Sequence, residues 1–178
     1  VVVAVNVNLE YVKLKSSDGS IYYFAKDNLE YQRLEKQFAE KKQWIDGVPK
    51  LKTIAQIFKE HGGYEVLGSV KGSDLVGLEY IGPYDDLDAQ NTAGGYPYVN
   101  EELEKNGITS VMQHKVIDPG KDKIGNDIVV SGEGTGIVHM APGCGDVDHK
   151  VGKEKGLINI APLDEEARFM DDFGWLKD

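Results

Sequence analysis

The chain has 178 residues, 40% of them hydrophobic and 28% charged, with a formal net charge of −10. That length and balance describe one folded domain over residues 1–178 and argue against disorder. The acidic excess argues against a protein that grips nucleic acid through its overall field, because affinity for the phosphate backbone comes from clustered Lys and Arg.

Val1 to Val5 reads as a buried strand, and Asn6 and Asn8 break it far short of the roughly 20 apolar residues that a membrane span needs. It also lacks the basic flank of a signal peptide, so no membrane partner is expected. Leu9 to Lys15 alternates as a half-exposed strand does, Ser16-Ser17-Asp18-Gly19 is a turn, and Ile21 to Phe24 returns as the second arm of an antiparallel hairpin. Asp27, three residues before Glu30, is a candidate cap for a helix whose stripe is Tyr31, Leu34 and Phe38 and which runs to about Gln43. Trp44 to Lys50 reads as loop. Leu51, Ile54, Ile57 and Phe58 then trace a short amphipathic helix stopped by Gly62-Gly63.

Tyr64 to Val70 and Leu75 to Ile81 both read as strands, joined by Lys71-Gly72-Ser73-Asp74. Pro83 to Val99 is a long irregular segment rich in Asp, Asn and Gly. Thr109 to Ile117 reads as another strand, followed by a turn from Asp118 to Asp122 whose acidic spacing fails the calcium-loop pattern. Asp127 to Val130 begins a strand that Gly132-Glu133-Gly134 interrupts. Those glycines match neither a dinucleotide fingerprint nor a phosphate loop, so a hairpin turn or bulge is the reading. Val147 to Lys155 fits a helix ended by Gly156, Ile158 to Ala161 a last strand, and Pro162 to Asp178 an irregular acidic tail. The expected fold class is α+β: a twisted, partly closed, mainly antiparallel β-barrel-like sheet with peripheral helices.

Chemistry concentrates in Gly134 to His149, which reads as buried strand, tight turn at Pro142, and a helix start that Asp146 can cap. Such a junction leaves backbone N–H groups unpaired at a helix N-terminus and presents side chains from a rigid base. Three chemistries fit the residues. His139, Cys144, Asp146, Asp148 and His149 are all metal-ligand types, although no paired spacing typical of zinc is present. Cys144 is the chain's one cysteine, which excludes an intrachain disulfide and fits a reducing, cytoplasmic compartment; as a nucleophile it would take His139 or His149 as base. The third needs no covalent step: Asp148 offers a fixed negative charge to an ammonium group, His139 shapes a pocket, and exposed amides hold water or a developing oxyanion.

The run GTGIVHMAPGCGDVDHKVGKEKGL, from Gly134 to Leu157, closely resembles the editing domain inserted in isoleucyl-tRNA synthetases. The likeness extends to Val3-Ala4-Val5-Asn6, to Gly72 through Tyr80 and to Pro162-Leu163-Asp164-Glu165-Glu166, and so spans nearly the whole chain. His139-Met140-Ala141-Pro142 follows the isoleucine type rather than the valine type. The resemblance implies a class I synthetase editing-domain fold and proofreading both before and after transfer: hydrolysis of misactivated valine and of the ester in valine-charged isoleucine tRNA. It implies that Asp148 binds the α-amino group and His139 excludes the larger side chain, with Met140, Ala141, Pro142 and Gly145 lining the pocket. No metal and no cofactor is implied for this domain, ATP and Mg belonging to the parent enzyme. The implied partners are the 3′ end of the isoleucine tRNA carrying valine and the remainder of the synthetase chain. Two departures stand out: the family's threonine-rich segment lies before the position matching Val1, which suggests an excised insert, and Cys144 replaces an aromatic residue of many relatives. A non-catalytic binding module for an amino acid or aminoacyl-RNA, and a metal-dependent hydrolase, stay open beside this reading.

Overall fold

The computed structural model describes residues 2–31 and 52–177. Among the described residues six strands form two three-stranded sheets. In the first, β1 (Val2–Ala4) lies centrally, parallel to β5 (Val116–Ile117) and antiparallel to β6 (Val138–Met140), with Val3 opposite both Val116 and His139. In the second, β2 (Glu10–Ser16) is central between β3 (Ile21–Ala25) and β4 (Tyr64–Lys71), all antiparallel. Five helices punctuate the described chain: α1 (Ile54–Glu60), α2 (Gly72–Leu75), α3 (Asp88–Asn91), α4 (Glu101–Lys105) and α5 (Asp146–Glu154).

The expected hairpin of β2 and β3 is present, and Tyr11 at its base joins the two sheets. Its hydroxyl accepts from the Asn6 N–H at 3.0 Å and donates to the Gly136 carbonyl at 2.8 Å, which anchors the approach to β6. Asn28 does the same one turn later, donating to the Glu133 and Gly134 carbonyls and accepting from the Gly132 N–H. The glycine-rich lead-in is thereby pinned on the β3 side. Helix α1 starts where Thr53 and Gln56 exchange side-chain and backbone hydrogen bonds, a reciprocal cap that satisfies two otherwise unpaired donors.

Three small apolar clusters form the core. Val2, Ala4, Val129, Met140 and Val151 pack α5 onto the first sheet; Val5, Tyr11, Ala25 and Leu75 fill the junction between sheets. Leu87, Ala89, Ile158, Ile160 and Phe173 hold the later segments together.

The α+β class and the mainly antiparallel pairing hold, but the described strands make two separate sheets, not one partly closed sheet. Four expected strands differ. Residues 72–75 form the single turn α2, where Asp74 accepts from the Lys71 N–H, and residues 77–80 meet 114–116 through scattered backbone bonds and one isolated bridge, Glu79 with Lys115. Of Thr109 to Ile117 only β5 is strand, because Val111–Gln113 winds into a 3₁₀ turn. Gln113 then spends both ends of its carboxamide on the Gly156 carbonyl and the Ile158 N–H. Asp127 to Val130 contributes Val129 to the core without a ladder, and Ile158 to Ala161 makes one bridge, Tyr96 with Ile160. Asp27 lies within a 3₁₀ turn, Lys26–Asn28, that Ala25 rather than Asp27 precedes. The helix expected from Tyr31 to Gln43 and the loop to Lys50 fall almost wholly outside the described residues. Among the described residues no helix is long and apolar enough to cross a membrane.

Candidate active site

Strand β6 ends at Met140 and α5 begins at Asp146, so Ala141 to Gly145 is the whole turn between them. Strand alternation divides the two sides of β6. Met140 is 1% exposed and packs among Val2, Ala4, Val129 and Val151, whereas His139 is exposed. The thioether of Met140 is therefore core, and only its backbone faces the turn.

Two side chains of the first turn of α5 reach back to the loop. Asp148 accepts the Ala141 N–H on Oδ2 at 2.9 Å. His149 places Nδ1 3.2 Å from the Pro142 carbonyl, which can only accept, so Nδ1 carries the proton. Within the loop the Cys144 N–H donates to the Ala141 carbonyl at 2.9 Å. Asp148 is half-buried, makes no ion pair among the described residues, and keeps Oδ1 uncommitted. The bond to Ala141 sets this carboxylate two residues along the chain from His139.

Two glycines allow the close packing behind the turn. A Cβ on Gly143 would sit 1.9 Å from the Ile160 carbonyl oxygen, and one on Gly152 would meet the Pro142 ring at 2.6 Å. Loop and helix thus press together with bare backbone, and Pro142 is buried between them. Gly145, not Asp146, occupies the N-cap position, in an extended conformation and without a side-chain cap. Asp146 and Asp148 instead lie in the first turn, where negative charge complements the helix dipole. The amides of that turn have no intrahelical acceptor, which leaves donors beside Asp148.

Cys144 is exposed at the tip. Among the described residues no three His, Cys, Asp or Glu side chains converge as a metal centre requires. A recess of about 210 Å³ lies on the flank of α5, lined by Lys121, Lys123, Lys150, Asp122, Asp146, Ile124, Ile128 and Val147. A wider groove of about 730 Å³ opens at Tyr96, Asp164, Arg168, Phe169 and Leu176. Neither is lined by His139 or Asp148.

An acid–histidine contact elsewhere in the fold was not legible in the sequence. His114 is 4% exposed with Nδ1 3.0 Å from Asp85 Oδ1, while Asp85 Oδ2 accepts the Gly82 N–H at 2.8 Å. Tyr80 stacks on the imidazole at 5.1 Å. Burial holds the His114 pKa below its ordinary value against the opposing pull of Asp85, and burial together with Asp85 pushes the Tyr80 phenol up to about 12. Nothing in the linear spacing joins position 85 to position 114; only the fold does.

No family model matches the chain. Curated relatives do. An isoleucine–tRNA ligase of Aquifex pyrophilus is 42% identical over 106 residues, 60% of this chain and 17% of that protein. That of Persephonella marina is 31% identical over 170 residues, 96% of this chain and 12% of the relative. That of Methanocaldococcus jannaschii is 29% identical over 147 residues, 80% and 12% respectively. The chain thus spans no more than 17% of the length of these relatives.

Proposed function

From the premise that this chain is related in sequence to isoleucine–tRNA ligases, which are aminoacyl-tRNA synthetases, we propose that it is a proofreading domain. Its reaction is hydrolysis of valine esterified to the 3′ end of an isoleucine tRNA, and of misactivated valine before transfer. The need is physical. A pocket that accepts isoleucine gains only about 1–3 kcal/mol from one methylene, and isoleucine against valine is the standard worked case, at roughly 150-fold. A second, smaller site removes the error.

The observation that supports this reading best is the reach of Asp148 from α5 to the Ala141 amide, with one carboxylate oxygen left over. In the proposed site that oxygen binds the α-ammonium of the misattached amino acid, a charge-assisted contact that orients the ester. His139, exposed on β6, limits the room for the side chain, while Ala141, Pro142, Gly145 and the backbone of Met140 form the wall. Water adds to the ester carbonyl and the 3′ hydroxyl departs, giving free valine and the deacylated RNA end. No protein nucleophile takes part, and the amides at the start of α5 receive the developing oxyanion. The 3′ end of the tRNA and the rest of a synthetase chain are the proposed partners; ATP and Mg serve the synthetic reaction, not this one. A net charge of −10 fits a domain that admits only a single-stranded end while other modules supply the basic surface.

The test is deacylation of valine-charged isoleucine tRNA by Asp148→Ala and Asp148→Asn. Both remove the anion, and Asn retains an oxygen for the Ala141 amide. The expected result is a loss greater than about a hundredfold in both, from lost charge and orientation. Hydrolysis at the wild-type rate in Asp148→Asn would remove the ammonium contact from the mechanism. Tight valine-ester binding without turnover in the wild type would instead identify a binding module.

A further inference from the structure

We propose that His149 is a positioning residue for this site, holding the Ala141–Gly145 turn in place through its Nδ1–H bond to the Pro142 carbonyl. The inference rests on the proofreading reading and adds a second constraint to it. Asp148 and His149 are consecutive, yet they fix backbone groups of two consecutive turn residues by opposite means: one accepts from the Ala141 N–H, the other donates to the Pro142 carbonyl. Behind them Pro142 meets Gly152, and Gly143 meets the Ile160 backbone. The turn is therefore confined on its inner side by packing and held to α5 by this pair of side chains. Packing fixes how deep the turn sits; the two hydrogen bonds fix its rotation, and with it the direction of the Ala141 and Pro142 wall.

The ring is exposed, so its removal leaves the apolar core intact. Because Pro142 consumes Nδ1–H, the role belongs to that nitrogen and not to Nε2. Side-chain geometry separates the two: the amide nitrogen of Asn lies where Nδ1 does, that of Gln nearer to Nε2.

Cys144, exposed on the same turn, gives a readout independent of hydrolysis. The experiment measures iodoacetamide alkylation of Cys144 and deacylation of valine-charged isoleucine tRNA in the 178-residue chain and in His149→Leu, His149→Asn and His149→Gln. Expected for His149→Leu is alkylation faster by about threefold or more, and a kcat lower by roughly threefold to tenfold at unchanged KM, the worth of one hydrogen bond. Asn restores both and Gln restores neither. Alkylation at the wild-type rate in His149→Leu, or rescue by Gln in place of Asn, overturns the proposal. If the wild type does not deacylate even with the preceding threonine-rich segment restored, the proofreading reading falls, while the alkylation series still decides whether His149 holds the turn.

Discussion

Two acid–histidine pairs in this molecule use the same side chains to opposite ends. Asp85 and His114 face each other in a nearly closed space, with a backbone amide on the free carboxylate oxygen and a tyrosine ring over the imidazole. Asp148 and His149 ignore each other, each bonding a neighbouring backbone group and leaving one polar atom toward solvent. A pair shut inside the fold can act only on its own neighbours; a pair at the surface with an uncommitted oxygen can meet a ligand. On the proposed reading the first serves the fold and the second serves the site.

Substitutions can break that contrast, and the largest effect is expected behind the turn. Gly143→Ala forces a methyl into the Ile160 carbonyl, and the expected loss is about 3 kcal/mol or more, read by urea unfolding. Wild-type stability in that variant would show that the turn is free to move off the 158–160 segment. Next comes Asp85→Ala, which strips the buried imidazole of its partner at a cost of about 2 kcal/mol and leaves hydrolysis unchanged. A matching drop in deacylation would erase the division between the two pairs.

A pH series sharpens the same point. Since the folded His114 has a lowered pKa, the unfolded chain binds more protons near pH 6, and stability rises with pH there. Its contribution is full above the ordinary histidine value of about 6.5 and is lost as pH falls toward the lowered one. The melting temperature should therefore decline from pH 7.5 to pH 5, and the slope should flatten in His114→Gln. An unchanged slope assigns the decline to other groups. The smallest effect is expected at Thr53→Ala, where loss of the reciprocal cap on α1 costs about 1 kcal/mol and leaves both acid–histidine pairs untouched. Differential scanning calorimetry resolves a change of that size.

The sequence carried the site's order better than its surroundings. Strand, turn and helix between Gly134 and Lys155 follow from apolar alternation, Pro142 and the glycines, and they stand in the structure as β6, the turn and α5. Leu75 to Ile81 and Thr109 to Ile117 carry the same apolar texture and mostly fail to pair. Periodicity reports which residues are buried, not whether a neighbouring strand arrives; Val129 is 1% exposed and in no ladder. Side-chain competition for the backbone was equally invisible: Asp74 and Gln113 each satisfy peptide groups that a ladder would have used. The placement of Asp148 against Ala141 was not readable from spacing alone. The motif named the residue, and the fold gave it an amide to hold.

The central position of β1 has a consequence for assembly. Its partners come from residues 116–117 and 138–140, so β1 waits for both until more than a hundred further residues have been placed. Closing loops of that span is slow, whereas the β2–β3 hairpin needs only local contacts. The segment bearing His139 and Asp148 therefore joins its sheet late, and the proposed site takes shape only once residues 2–4 and 138–140 have met.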